Sequence, residues 1–179
     1  MNLADQVVEL HHRFDGASIP HAFGGALALA WCTQRARATI DVDVNLFVDS
    51  TRLDDIEGAL SPMVALPAVD RKRLAAEGQT RLWWDQTPVD VFLNTTSFHE
   101  QAATRFRIER FNGADVPFLA CQDLAVFKAF FNRTKDWADL EEMAFANTLD
   151  VPAVIGILAL FLGGADDRIE RLRVLHQQQ

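Results

Sequence analysis

The chain is predicted to be an α/β or α+β protein, with a mixed sheet core over residues 1–120 and a helical region over 121–179 expected to pack on it. Three observations predict this. Residues 38–49 alternate apolar and polar with period two, as a half-buried strand does. Strand-like and helix-like segments mix through the first two-thirds of the chain. Helical patterns alone fill the last third, and a helical bundle follows from that.

The elements run as follows. Leu3, Val7, Val8, Leu10 and Phe14 have the spacing of a short amphipathic helix. A short apolar segment, 19–23, ends in Gly24-Gly25, and the Ala- and Leu-rich ALALAWCTQRAR is a strong helix former. In ATIDVDVNLFVD, Ile40, Val42, Val44, Leu46 and Val48 share one face, with Asp41, Asp43 and Asn45 on the other. RLDDIEGAL and DRKRLAAEG read as helices, the second stopped by Gly78. QTRLWWD and PVDVFLN read as an antiparallel hairpin turning at Gln86-Thr87, with Pro88 at a strand start or edge. TRFRIERF and VPFLA are two strands around an Asn112-Gly113 turn. Four helical segments follow: QDLAVFKAFFN, DWADLEEMAFAN, PAVIGILALFL and DRIERLRVL, with Pro152 at a start and Gly163-Gly164 at a stop. The chain ends in a short Gln tail, 177–179.

Composition narrows the class. With 179 residues, 49% hydrophobic and 23% charged, the chain can bury a real core without staples. A net charge of −8 opposes a phosphate backbone overall. The basic residues nevertheless group locally, as Arg71, Lys72 and Arg73; Arg105, Arg107 and Arg110; and Lys128, Arg133 and Lys135. Cys32 and Cys121 are too few and too scattered for a disulfide framework or a zinc site, and Cys121 is expected to be structural. His11 and His12 are expected at the surface, and one of Trp83 and Trp84 in the core. The N-terminus does not have the pattern of a signal peptide, and the longest apolar run, Val151–Leu162, is shorter than the roughly 20 residues that span a bilayer. The expectation is a reduced, cytoplasmic protein with no membrane partner, in which that run is bundle core.

The chemistry-bearing residues begin with Asp41 and Asp43. Two apart in a strand, they put two carboxylates side by side, which is unfavourable unless a cation neutralises them. Oxygen ligands without His or Cys suit Mg²⁺, with Mn²⁺ as a substitute. Gly24-Gly25, where a strand feeds a helix, lets backbone N–H groups approach an anion such as a phosphate chain. Asp90 projects from a second strand. If that strand pairs beside the first, three carboxylates converge, able to hold metal and accept a proton from a hydroxyl.

In this order, Gly-Gly, helix, Asp-x-Asp strand and later lone Asp, the stretch HAFGGALALAWCTQRARATIDVDVNLFV resembles the nucleotidyltransferase superfamily. Arg37 and Thr39, four and two residues before Asp41, match the Arg-x-Thr-x-Asp-x-Asp form of the AbiEii/MenT-type branch, many members of which are toxins of toxin–antitoxin pairs. The gap from Gly25 to Asp41 is slightly longer than usual there. QDLAVFKAFFNRTKDWADLEEM is similar to a segment of that branch in which a helix Lys precedes a Lys-Asp-x-x-Asp, matched here by Lys128 with Asp136 and Asp139.

The resemblance, over about 20–142, implies a nucleotidyltransferase-type mixed sheet and transfer of a nucleotidyl group from a nucleoside triphosphate to a hydroxyl. Asp41, Asp43 and Asp90 would be catalytic and bind Mg²⁺, while Gly24, Gly25, Arg37, Thr39, Lys128, Asp136 and Asp139 would bind nucleotide. The implied acceptor is a tRNA 3′ end, and the implied partner a cognate antitoxin. Three other functions stay open: a small-molecule (antibiotic) nucleotidyltransferase, a non-catalytic nucleotide-binding module, and an interaction protein using 151–162.

Overall fold

A computed structural model describes residues 1–177 of the chain; Gln178 and Gln179 of the Gln tail lie outside the described residues. The chain divides into two units, Met1–Leu27 with Ala38–Leu119, and Ala28–Arg37 with Ala120–Gln179.

The first unit is built on one six-stranded mixed sheet. Its strands are β1 (His21–Phe23), β2 (Val42–Leu46), β3 (Gln79–Trp84), β4 (Thr87–Leu93), β5 (Arg107–Phe111) and β6 (Ala114–Phe118), in the order β3-β4-β2-β1-β6-β5. β2 runs parallel to β4 and antiparallel to β1, and β1 runs parallel to β6. Both outer pairs, β3–β4 and β5–β6, are antiparallel hairpins. Asn112 and Gly113 turn the second with φ of 46° and 85°, the positive values a two-residue hairpin requires.

Alternation sorts the sheet into two faces. In β3, Thr80, Leu82 and Trp84 are buried, while Gln79, Arg81 and Trp83 point the other way. Register carries the sorting across: Leu82 faces Val89, which lies beside Val42, and Arg81 faces Asp90, which lies beside Asp43. The apolar face holds Val42, Val44, Leu46, Val89, Val91 and Leu93, all buried. Full burial of each such side chain contributes about 1.5–3 kcal/mol. Helix α1 (Leu3–Gly16) starts with a capping box between Asn2 and Asp5, buries Val7, Leu10 and Phe14, and packs on β6 and on α3 (Leu53–Leu60). Helix α4 (Ala68–Glu77) ends at Gly78, whose φ of 70° makes the left-handed cap expected from the sequence.

Three differences from the sequence expectation have physical reasons. β2 begins at Val42, and Ile40, expected on the inner face, is 79% exposed. The ladder explains it: pairing with β4 starts at Val42 and with β1 at Val44, so earlier residues have no strand beside them. The first hairpin turns at Asp85-Gln86 rather than Gln86-Thr87, because Trp84 pairs with Thr87. Helix α5 (Ser97–Ala102) has no counterpart in the sequence pattern, since six residues are too few to display a helical period. Pro88, near the start of the interior strand β4, precedes the register with β2 and so removes no bond from that ladder.

The second unit is helical. Helix α2 (Gly25–Thr33) begins in the first unit and ends in the second. It is followed by α6 (Cys121–Phe131), α7 (Thr134–Phe145), α8 (Val151–Leu162) and α9 (Asp167–His176). Helix α6 packs on α7 and α8, and α9 on α7 and α8. Leu29, Leu124, Trp137, Leu140, Met143, Leu158, Ile169 and Leu172 are buried. Asn132 closes α6 with φ of 60°, and its side chain accepts the Trp137 indole N–H at 2.7 Å. Helix α8 corrects the expectation of a bundle-core helix: Val151, Val154 and Leu158 form a buried stripe, but Leu160 and Phe161 are 83% and 42% exposed.

The cysteines also overturn their expectation. Cys32, late in α2, and Cys121, first in α6, form a disulfide with Cα atoms 5.5 Å apart, and among the described residues no cysteine is free. A sequence separation of 89 conceals the pair, because only folding brings those helix ends together. Such bonds persist in oxidising surroundings, so the reduced-thiol expectation does not hold. Among the described residues, no helix is long and apolar enough to cross a membrane.

Candidate active site

The polar face of the first unit's sheet carries the acids. Asp43 in β2 and Asp90 in β4 are Cα partners in a parallel register. Partners on neighbouring strands project to the same side, so these carboxylates leave the sheet opposite the Val and Leu side chains. Asp41 lies just before the strand, where the Thr39 hydroxyl donates to its Oδ1. Thr39 thus orients Asp41 through the Thr-x-Asp spacing.

The two glycines differ in what they do. The Gly24 N–H donates to the Asp43 carbonyl at 2.9 Å, extending the β1–β2 pairing by one residue. That N–H is already engaged, which corrects the expectation that both glycine N–H groups face a phosphate. A Cβ on Gly24 would sit 3.2 Å from both Asn45 Nδ2 and Leu119 Cδ1. Gly25 has φ of +56°, and a Cβ there would lie 2.6 Å from Asp43 Cγ, overlapping the carboxylate. The Asp43 carboxylate therefore rests against the Gly25 backbone at the first residue of α2, where helix amides favour negative charge.

The sequence reading missed Arg81. It stands across from Asp90 in β3, and its guanidinium makes a bidentate pair: Nε donates to Oδ1 at 2.7 Å and Nη2 to Oδ2 at 2.6 Å. Nη2 also lies 3.9 Å from Asp41 Oδ2. These carboxylates hold the guanidinium still more firmly protonated than usual, Asp90 first. A turn at Asp85-Gln86 was the available signal, since it alone places Arg81 opposite Asp90.

Among the described residues, no three His, Cys, Asp or Glu side chains are gathered closely enough to hold a metal. The strands thus pair as expected, but the three carboxylates share a face without closing on one point. Their chemistry still fits a hard divalent cation. All donors are carboxylate oxygens, and a positive group, Arg81, already stands between Asp90 and Asp41.

A second cluster lies within the helical unit. Lys128 Nζ donates to Asp139 Oδ2 at 2.6 Å and stands 3.9 Å from Asp136 Oδ1. Arg37 makes a bidentate pair with Asp139, and Arg133 one with Asp136. Lys128, which the resemblance assigns to nucleotide binding, is 6% exposed, and Asp136 and Asp139 are 1% exposed. Asp136 sits in the first turn of α7 and accepts the Arg133 backbone N–H at 3.2 Å. Arg37 is the outward member of this cluster, its side chain 44% exposed.

Away from both clusters, the basic groups are largely neutralised at home. Arg71 pairs with Asp54 and Glu57, Arg73 with Asp70, Arg107 with Glu109 and Arg110 with Asp115. Trp84 is buried and Trp83 is 55% exposed, on the same face of the sheet as Arg81. His11 is partly buried rather than a surface residue: its Nδ1 lies 3.0 Å from His21 Nε2, and His21 Nδ1 bonds the Ile19 carbonyl at 2.8 Å. Burial pushes the His21 imidazole down to about 4.

No family model matches the sequence, and no curated protein matches it. Solved structures do. The antibiotic-resistance factor ANT(2″)-Ia in solution aligns with a TM-score of 0.56 and 12% identity, over 98% of this chain and 91% of that one. The crystal structure of ANT(2″)-Ia in complex with adenylyl-2″-tobramycin aligns with a TM-score of 0.53 and 10% identity, over 98% and 97%. At such identities the likeness establishes architecture alone, and the chain has a nucleotidyltransferase-type fold, with a six-stranded mixed sheet and a C-terminal set of helices.

Proposed function

We propose that this protein is a nucleotidyltransferase: a substrate hydroxyl attacks the α-phosphate of a nucleoside triphosphate, the nucleotidyl group is transferred and pyrophosphate leaves. The observation that carries this is the register of Asp43 beside Asp90, with the Asp43 carboxylate set against Gly25. Asp41, Asp43 and Asp90 would hold Mg²⁺ or Mn²⁺, which when bound offsets the triphosphate charge and polarises the phosphorus centre. Asp90 orients the hydroxyl and accepts its proton. Gly25 and the start of α2 face the phosphates, Gly24 keeps Asp43 close, and Thr39 aims Asp41. Within the helical unit, Arg37 is the exposed cation of its cluster, held by Asp139, which Lys128 pairs in turn.

Two acceptor classes follow. A tRNA 3′ end, with the chain as a toxin restrained by an antitoxin, rests on the sequence resemblance. A small cationic polyol, such as an aminoglycoside, is favoured by two observations: the arginines that would line an RNA path are paired with carboxylates, and the net charge is −8. The test is to incubate the protein with Mg²⁺ and each labelled triphosphate in turn, against total RNA and against aminoglycosides. Label on either acceptor, lost with Asp41→Ala and Asp43→Asn, supports nucleotidyl transfer and identifies the class. Failure to bind any triphosphate in Mg²⁺ by calorimetry would overturn it.

A further inference from the structure

The pairing of Arg81 with Asp90 uses both oxygens of a carboxylate that the proposed chemistry also needs. The two side chains face each other across β3 and β4, with hydrogen bonds of 2.7 and 2.6 Å. The same guanidinium reaches to 3.9 Å from Asp41. A guanidinium does not deprotonate at any physiological pH, so it leaves a carboxylate only by moving. Arg81 has open space beside it: its side chain is 50% exposed, whereas Asp90 is 17% exposed and anchored mid-strand.

We propose that Arg81 is a built-in counter-cation of the carboxylate site, which competes with the divalent metal for Asp90 and swings away when metal and triphosphate enter together. This rests on the nucleotidyl-transfer function proposed above. Asp41, Asp43 and Asp90 carry like charges on one sheet face, and without metal their repulsion is relieved by Arg81. With Arg81 in place, a bare metal ion must break two charge-assisted bonds to reach Asp90. A metal arriving with a triphosphate brings phosphate oxygens that the displaced guanidinium can pair with. The site is therefore closed to metal alone and open to the metal–nucleotide complex.

The test uses the full chain and Mn²⁺, with bound ion counted by electron paramagnetic resonance. Without nucleotide, Arg81→Met should bind Mn²⁺ at least about tenfold more tightly than the wild type, and Arg81→Met with Asp90→Asn should lose that gain. With a non-hydrolysable triphosphate present, the gap between wild type and Arg81→Met should close or reverse. Arg81→Lys, which keeps the charge but cannot grip both oxygens, should fall between them and serves if the Met variant does not fold. Equal nucleotide-free Mn²⁺ affinity in wild type and both variants, with normal metal–triphosphate binding, would overturn the competition and leave nucleotidyl transfer standing. No Mn²⁺ binding by any of them, even with triphosphate, would overturn both.

Discussion

Lys128 and Asp139 form a buried ion pair at 2.6 Å, with side chains only 7% and 1% exposed. Arg37 holds the other side of Asp139, and Arg133 holds Asp136 beside it. The five-residue network ties α6, α7 and the segment after α2 together through charge, within the helical unit.

Removing the lysine should cost stability. Lys128→Ala leaves Asp139 buried with only Arg37, and breaking such a pair costs on the order of 3 kcal/mol. Lys128→Met, which keeps the apolar stem, should cost less. Urea unfolding measures both; a loss below about 0.5 kcal/mol for the Ala variant, as for a surface residue, would mean the pair does not form.

Acid should weaken the fold through His21. In the unfolded chain its imidazole takes up a proton near 6.5, but in the folded protein only near 4, because burial disfavours the charge. Stability is thus fully present above about pH 6.5 and falls as the pH drops toward 4, by up to about 3 kcal/mol. His21→Gln should show a shallower fall between pH 7 and 4.5 in urea midpoints. Parallel pH profiles for the two proteins would rule out His21 as the source.

Reduction should lower the melting temperature. The Cys32–Cys121 bond closes a loop across 89 positions, which in the chain-entropy account is worth about 4–5 kcal/mol and, at this chain length, roughly 10–15 °C. Calorimetry with and without a phosphine reductant, and on Cys32→Ser, checks it. Two titratable thiols in the unreduced, denatured protein would show that the bond is absent.

The sequence was most readable where a local pattern is imposed by a local cause. The alternation around Asp43, the Asn112-Gly113 turn and the Gly78 cap each follow from a few adjacent residues. The Gly24-Gly25 and Asp-x-Asp spacing likewise lies within one short stretch of chain. What stayed hidden depends on distance along the chain. Placing the first turn one residue late would set Arg81 opposite Phe92 instead of Asp90, and so the guanidinium in the carboxylate site went unseen. Ile40 fits the alternation of β2, yet the strand stops where its neighbours stop. Cys32 with Cys121 and Arg37 with Asp139 are 89 and 102 positions apart, beyond any local pattern.

That last separation sets an order of events during synthesis. Residues 28–37 belong to the helical unit, but their partners Cys121 and Asp139 emerge much later. At about 5–20 residues per second, Arg37 waits on the order of ten seconds for its carboxylate. Every strand of the sheet lies at or before Phe118, so the sheet can close while the segment after α2 is still unclaimed. A ribosome that stops at residue 120 would release every strand of the sheet, with Cys32 lacking Cys121 and Arg37 lacking Asp139.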